Sequence, residues 1–383
     1  MTVWDELIGQ AAAVGVLKRA VAGDDHAMSH AWLITGPPGS GRSNAARAFA
    51  AALQCARGGC GDCQSCRTSL SGAHPDVTIV RTEKLSIGID VIRSLVGRAA
   101  MSPSLGRRQV VVVEDADRVT ERGAPALLKA VEEPTPKTVW VLCAPTPDDV
   151  LLTIRSRCRQ IALVTPSDRA VAELLISRDG VEPAMAHFAA RVAQGHIGRA
   201  RNLARNEAAR ARRHEVLKIP AQLTTLGACL RAADNMVKAA GEESAAQTSL
   251  LDEREKAELS EALGFGATGA RPRNAQAALK DLDDQQKLRA KRLQRDALDR
   301  VLTELTVYYR DVLTVQLRTG VGLINEELAG PIGSFARRTS PEQTIRRIDA
   351  ILDTRTALEG NVAPLLAMES LMVSLGEGIL ASS

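Results

Sequence analysis

Eight residues constrain this chain more than any others. Gly36-Pro37-Pro38-Gly39-Ser40-Gly41-Arg42-Ser43 follows a short apolar run, Ala31–Thr35, and opens an Ala-rich stretch of helical character, Ser43–Leu53. Strand, glycine-rich loop and helix are the setting of the phosphate-binding loop, G-x-x-x-x-G-K-[ST]. There, successive backbone N–H groups turn toward an anion and the helix N-terminus adds its positive end. Three more apolar runs of strand length follow, Val77–Val80, Val110–Val113 and Val139–Cys143. The last two are uninterrupted, the pattern of strands buried on both faces of a parallel sheet. A helical stretch, Ala124–Val131, lies between them and stops at Glu133-Pro134. The recurrence predicts an α/β layer fold with a parallel sheet. Strand signals end near Val164, where Thr165-Pro166-Ser167-Asp168 reads as a linker and helix cap.

Beyond that point the sequence reads as helix. Residues 168–206 suit a bundle of short helices with turns at Gly180 and Gly195-His196-Ile197-Gly198. The stretch 240–285 is polar and Ala-rich, and Gly264, Gly266, Gly269 and Pro272 are expected to break any long helix there and leave a flexible segment. Leu298, Val301, Leu305, Tyr308, Val312 and Val315 then recur in three- and four-residue steps, the stripe of a long amphipathic helix.

Composition removes several function classes. A net charge of +4 over 383 residues argues against a protein that coats nucleic acid by bulk charge. Aromatics at 2% argue against a base-stacking platform. No apolar run reaches membrane-spanning length, and the acidic start Met1-Thr2-Val3-Trp4-Asp5-Glu6 lacks a signal-peptide pattern, so the expected compartment is the cytoplasm, with no membrane partner.

The phosphate loop has the fold signature but not the full chemistry. Gly36, Gly39 and Gly41 are in place and Ser43 could hold Mg²⁺, yet Arg42 stands where a Lys should reach the β- and γ-phosphates of ATP. A planar guanidinium substitutes poorly for a compact ammonium in a tight cradle. The acidic end of the third apolar run, Glu114-Asp115-Ala116-Asp117, is similarly incomplete. Asp115 can serve the metal, but Ala116 follows where a Glu would orient the attacking water, and Glu114 and Asp117 are out of step. The expectation is a degenerate nucleotide site that can hold ATP with Mg²⁺ but does not hydrolyse the ATP.

Cys55, Cys60, Cys63 and Cys66 offer four thiolates at gaps suited to one tetrahedral metal. The spacing favours a closed structural Zn²⁺ site, ahead of a redox disulfide pair or an iron–sulfur cluster. Cys143 and Cys229 read as core, and Cys158 as a packing residue.

The chain resembles the AAA+ clamp-loader subunits of bacterial DNA polymerase III. The likeness is carried by Glu6-Leu7-Ile8-Gly9-Gln10, by His30-Ala31-Trp32-Leu33 leading into the loop, and by the cysteine cluster with His74-Pro75-Asp76. It continues through Ala126-Leu127-Leu128-Lys129-Ala130-Val131-Glu132-Glu133-Pro134 and Ile154-Arg155-Ser156-Arg157-Cys158, so it covers most of residues 5–160; the helical half matches only in character. The resemblance implies an AAA+ core over 1–165 with a zinc-binding insertion at 55–66, a helical lid over 166–207, and an all-α collar over 208–383 that packs subunits into a heteropentamer. It also implies that Arg157, in Ser-Arg-Cys, acts in trans as an arginine finger on a neighbour's ATP. The implied partners are the delta and gamma/tau subunits, the sliding clamp, and primed DNA through the assembly. Pro145 stands where ATP-hydrolysing members place a polar sensor, and Gly198 where they place a lid Arg, with Arg199 next to it. These departures match the members that donate a finger without a working ATP site. A clamp-loader ATPase, and a zinc-dependent DNA-binding module with a vestigial loop, are the alternatives. Arg199, Arg201, Arg205, Arg210, Arg212 and Arg213 could track DNA, but a solvated face or subunit contact fits the near-neutral total better.

Overall fold

The computed structural model describes residues 2–23, 27–81, 86–262 and 275–376. The chain divides into two compact units, Met1–Asn206 and Glu207–Ser383. In chain order the first contains α1 (Ala11–Ala22), β1 (Ala31–Thr35), α2 (Arg42–Gln54), α3 (Gln64–Ser71), β2 (Val77–Val80), α4 (Ile89–Ala99), β3 (Gln109–Val113), α5 (Ala124–Glu132), β4 (Thr138–Ala144), α6 (Leu152–Arg155) and β5 (Arg159–Ala162). It closes with α7 (Asp168–Ser177), α8 (Pro183–Ala193) and α9 (Ile197–Arg205).

The five strands form one sheet in the order β2-β3-β4-β1-β5, every pairing parallel. β1, β3 and β4 are buried along their whole length, as their unbroken apolar runs require. Successive side chains of a strand leave on opposite faces, and the two halves of the core follow that alternation. Trp32, Ile34, Val110, Val112, Val139 and Val141 pack toward α1 and α2. Leu33, Val111, Val113, Trp140 and Leu142 pack toward α4 and α5. Trp32 meets Phe49 of α2 edge-on, ring centres 5.1 Å apart. The expected α/β core with a parallel sheet is thus borne out, with the glycine-rich loop at the carboxyl end of the inner strand β1, where parallel sheets present their sites. β5 and α4 extend the sequence reading. The apolar positions Ile92, Leu95 and Ala99 form the buried stripe of α4, and β5 buries only Ile161.

Short helices occupy 168–205 as their turn residues predict. Ser167 accepts the Ala170 N–H to cap α7, and His196 Nδ1 accepts the Arg199 N–H to cap α9.

The second unit is all helix: α10 (Glu207–Gln222), α11 (Leu226–Ala262), α12 (Ala275–Leu317), α13 (Ala329–Arg338), α14 (Pro341–Glu359) and α15 (Pro364–Gly376). The stripe Leu298, Leu305, Tyr308 and Val312 is buried in its core, whereas Val315 is exposed. The segment 240–285, expected to be flexible, is helical at both of its ends. Residues 240–262 belong to α11 and 275–285 to α12, while Gly264, Gly266, Gly269 and Pro272 lie outside the described residues. Polar cross-links replace an apolar seam here. Ser244 donates to the Ala290 carbonyl, Gln286 to the Asp252 carbonyl, and Arg289 pairs with Asp252 and Glu255. No described helix is long and apolar enough to cross a membrane.

Candidate functional site

Gly39 and Gly41 adopt φ values of 84° and 94°, the left-handed region that glycine enters without strain, and so the loop can wrap the start of α2. Gln10 holds the loop from below. Its amide donates to the Ser40 carbonyl (3.3 Å) and the Val164 carbonyl (2.7 Å), and its oxygen accepts the Val164 N–H (3.0 Å). Pro145 contributes a carbonyl that accepts the Gly36 N–H at 3.1 Å, with no polar side chain to sense a ligand.

Arg42 does not extend over the loop as a Lys would. Its Nη1 donates to the Gly36 carbonyl, so the guanidinium is folded onto the loop's own first residue. From the other side comes His196: a Cβ added to Gly39 would lie 2.3 Å from His196 Cγ. Burial, then the Arg199 charge, holds this imidazole below its ordinary pKa. Ser43 lies in the first turn of α2, and Asp115 lies two residues beyond the carboxyl end of β3. Glu114 is turned away into a 2.9 Å ion pair with Arg47. Asp117 is raised by burial and by the neighbouring Asp115 charge, against the pull of Arg118 and Arg42. Gly36, Gly39, Gly41, Arg42 and Ser43 therefore form a glycine-rich turn into α2 whose cationic side chain is engaged internally, and Asp115 stands beyond the end of β3.

Arg157 lies just beyond α6 and is 41% exposed. Nη1 donates to the Thr153 carbonyl at 2.8 Å, and Nη2 pairs with Glu132 at the end of α5. Cys158 behind it is half-buried, and burial pushes its thiol up to about 12, so it packs and does not react.

All four sulfurs of Cys55, Cys60, Cys63 and Cys66 lie within 4.8 Å of one another. The Cys55 Sγ stands 3.6 Å from that of Cys60 and 3.7 Å from that of Cys63. Zn–S bonds of about 2.3 Å in a tetrahedron put sulfurs about 3.8 Å apart, so the donor set fits. Backbone N–H groups support it: Arg57 N donates to Cys55 Sγ, and Cys66 N to Cys63 Sγ at the start of α3. Burial works to raise the Cys55 thiol, but the N–H groups of Cys60, Gly59 and Arg57 bring it down to about 6, whereas burial pushes the Cys66 thiol up. The knuckle is also joined to the chain start, because Val3 N donates to the Gly59 carbonyl and Trp4 Nε1 to the Gly58 carbonyl.

The arginine run is largely occupied. Arg201 and Arg205 pair with Asp179 in the first unit; Arg212 pairs with Glu243, and Arg213 with Glu304 and Glu327, in the second. Gln10, His196 and Asp76 carry roles that residue type alone did not announce.

Residues 9–167 match the family described as "DNA polymerase III, delta subunit". A DNA polymerase III subunit delta' of Pseudomonas aeruginosa is 39% identical over 164 residues, 41% of this chain and 50% of that protein. The subunit delta' of Bacillus subtilis is 28% identical over 356 residues, 92% of each chain. A gamma/tau subunit of Mycobacterium tuberculosis is 38% identical over 157 residues, 40% of this chain and 27% of that one. The chain thus spans half the length of the Pseudomonas relative and nearly all of the Bacillus one. Among solved structures, a gamma-subunit-related protein of Thermotoga maritima aligns over 76% of this chain and 99% of its own at 20% identity, TM-score 0.36. The resemblance carried by the motifs is borne out by the sequence relatives.

Proposed function

We propose, for a chain akin to the delta-prime subunits of DNA polymerase III, that it is a non-hydrolysing subunit of the replicative clamp loader and lends Arg157 to a neighbouring subunit's ATP site. One observation carries the reading: Arg42 is bonded to the Gly36 carbonyl of its own loop, while Arg157 stands at the surface. ATP with Mg²⁺, bound to the neighbour, would supply the phosphoryl group. This chain's part is to present a guanidinium there, since a finger that neutralises charge on the transferring group is worth roughly 10³–10⁵ in rate. The Arg157–Glu132 pair is a surface contact, worth at most about 1 kcal/mol, and is readily exchanged for a phosphate. The four cysteines would hold one structural Zn²⁺. The delta and gamma/tau subunits, the sliding clamp and, through the assembly, primed DNA are the partners, and the cytoplasm is the setting.

Two measurements test this. The isolated chain should show no steady-state ATP turnover; turnover abolished by Ser43→Ala would instead make it a clamp-loader ATPase in its own right, the reading that Ser43 and Asp115 favour. In a loader reconstituted with delta and gamma/tau subunits, Arg157→Ala should leave the assembly mass unchanged. Hydrolysis at the one site it serves should fall about 10³-fold. Undiminished hydrolysis sinks the finger assignment.

A further inference from the structure

The strands all run one way, so the sheet has a carboxyl end, which carries the phosphate loop, and an amino end that this function leaves unused. At the amino end lies a groove of about 780 Å³. It is bounded by the ends of α1 and α2, the cysteine knuckle, and the residues leading into β3 and β4. Lys18, Arg57, Arg107, Arg108 and Lys137 line it, and among the described lining residues none is acidic. Five cations around one groove form a strong local field in a chain whose total is +4. Arg57 shares its charge with Asp62 on the rim, 3.2 Å away. Arg107 and Arg108 are held from beneath by the buried Gln54, whose oxygen accepts the Arg107 N–H (3.0 Å) and whose amide donates to the Arg108 carbonyl (2.6 Å). The backbone that carries these two cations is therefore fixed, so their positions are built in.

The lining also selects the ligand. Small residues, Ala52, Ala56, Gly58 and Gly59, make much of its lining; among its larger apolar members Trp4 and Leu53 are 5% and 6% exposed and Val21 is half-buried. A peptide partner needs apolar anchors that fill pockets, and this groove has none to receive them. A nucleic-acid backbone needs only fixed cations, with Arg forks matched to phosphate oxygens. No exposed ring offers base stacking, so recognition would be independent of sequence. We infer that this groove binds the phosphate backbone of DNA, beside the knuckle and apart from the nucleotide loop.

The test is fluorescence anisotropy of the full chain with a labelled 20-mer oligothymidylate, titrated across salt concentrations. Arg107→Glu/Lys137→Glu should weaken binding at low salt at least tenfold. It should also flatten the slope of log K against log salt by about 1.4, at about 0.7 for each phosphate no longer neutralised. Arg107→Gln/Lys137→Gln, a milder change that keeps the fold even where the reversal does not, should weaken binding by an intermediate amount. Arg169→Glu and Arg254→Glu, exposed elsewhere, should leave it unchanged. Wild-type affinity in both double variants, or equal weakening in the controls, overturns the inference. Competition by oligoglutamate as effective as by unlabelled oligothymidylate also overturns it, by assigning the groove to acidic peptides.

Discussion

Asp76 shows how much one side chain can organise. It sits 2% exposed at the mouth of β2, and its carboxylate accepts N–H groups from Ser104 (2.6 Å), Leu105 (2.8 Å) and Gly106 (2.5 Å), plus the Ser104 hydroxyl (2.9 Å). Burial would raise its pKa, but those donors outweigh it and bring the group down to about 2 from 3.8. A carboxylate depressed by folding stabilises the native state fully above its unfolded pKa and loses that contribution as pH falls through the folded one. Asp76 should therefore contribute about 2 kcal/mol at neutral pH, fading between about pH 4 and pH 2. Urea unfolding of Asp76→Ala at pH 7 should show a loss of about 2–4 kcal/mol, and at pH 2 the gap from wild type should be narrower by about 2 kcal/mol. A gap that stays constant with pH refutes the assignment. In the sequence Asp76 was visible only as part of a family motif. Its partners lie nearly thirty residues away, and no local pattern announces such a clamp. Arg42 was legible as a departure, but its bond to Gly36 was not, because that depends on which rotamer the finished loop admits.

Among elements, the cysteine knuckle was the most legible, since its ligand spacing is set within one short loop. Its reach was not, because the contacts of Val3 and Trp4 with Gly59 and Gly58 cross more than fifty residues. A metal that fastens the loop should fasten the chain start as well. Elemental analysis should find one zinc per chain. Cys63→Ser, whose hydroxyl can still cap α3, should lose it and increase hydrogen exchange at Val3 together with the knuckle. Full protection at Val3 in the zinc-free variant would separate the two. The α11/α12 pair marks the opposite limit. Its outer half lacks an apolar stripe, and the ion pairs of Arg289 that order it bring together residues more than thirty positions apart. Propensity and periodicity cannot see them, and so the segment read as flexible.

At the scale of the whole molecule, two compact units with separate cores should respond separately to damage. Arg213 is 7% exposed and joins Glu304 at 3.2 Å and Glu327 at 2.8 Å within the second unit. Removing it leaves the buried Glu304 short of a partner, a change that destabilises by about 3–5 kcal/mol. Calorimetry should resolve two transitions, with Arg213→Ala lowering one and Asp76→Ala the other. A single transition shifted equally by both would show that the units unfold as one. The broad division into sheet and helix was legible because unbroken apolar runs and turn residues recur at strand and helix lengths. β5 escaped because an edge strand with one buried residue carries almost no pattern.

The strand order has a consequence for the birth of the protein. β1 is the first strand synthesised, yet its neighbours in the finished sheet are β4 and β5, which begin at Thr138 and Arg159. β2 and β3, made in between, pair with each other and not with it. At about 5–20 residues per second, Ala31–Thr35 leaves the ribosome about 5–20 seconds before its first partner strand is translated. For that interval a strand that is buried along its whole length in the finished fold, with Trp32 in it, is a free edge that a nascent-chain chaperone must cover or a neighbouring polysome can capture.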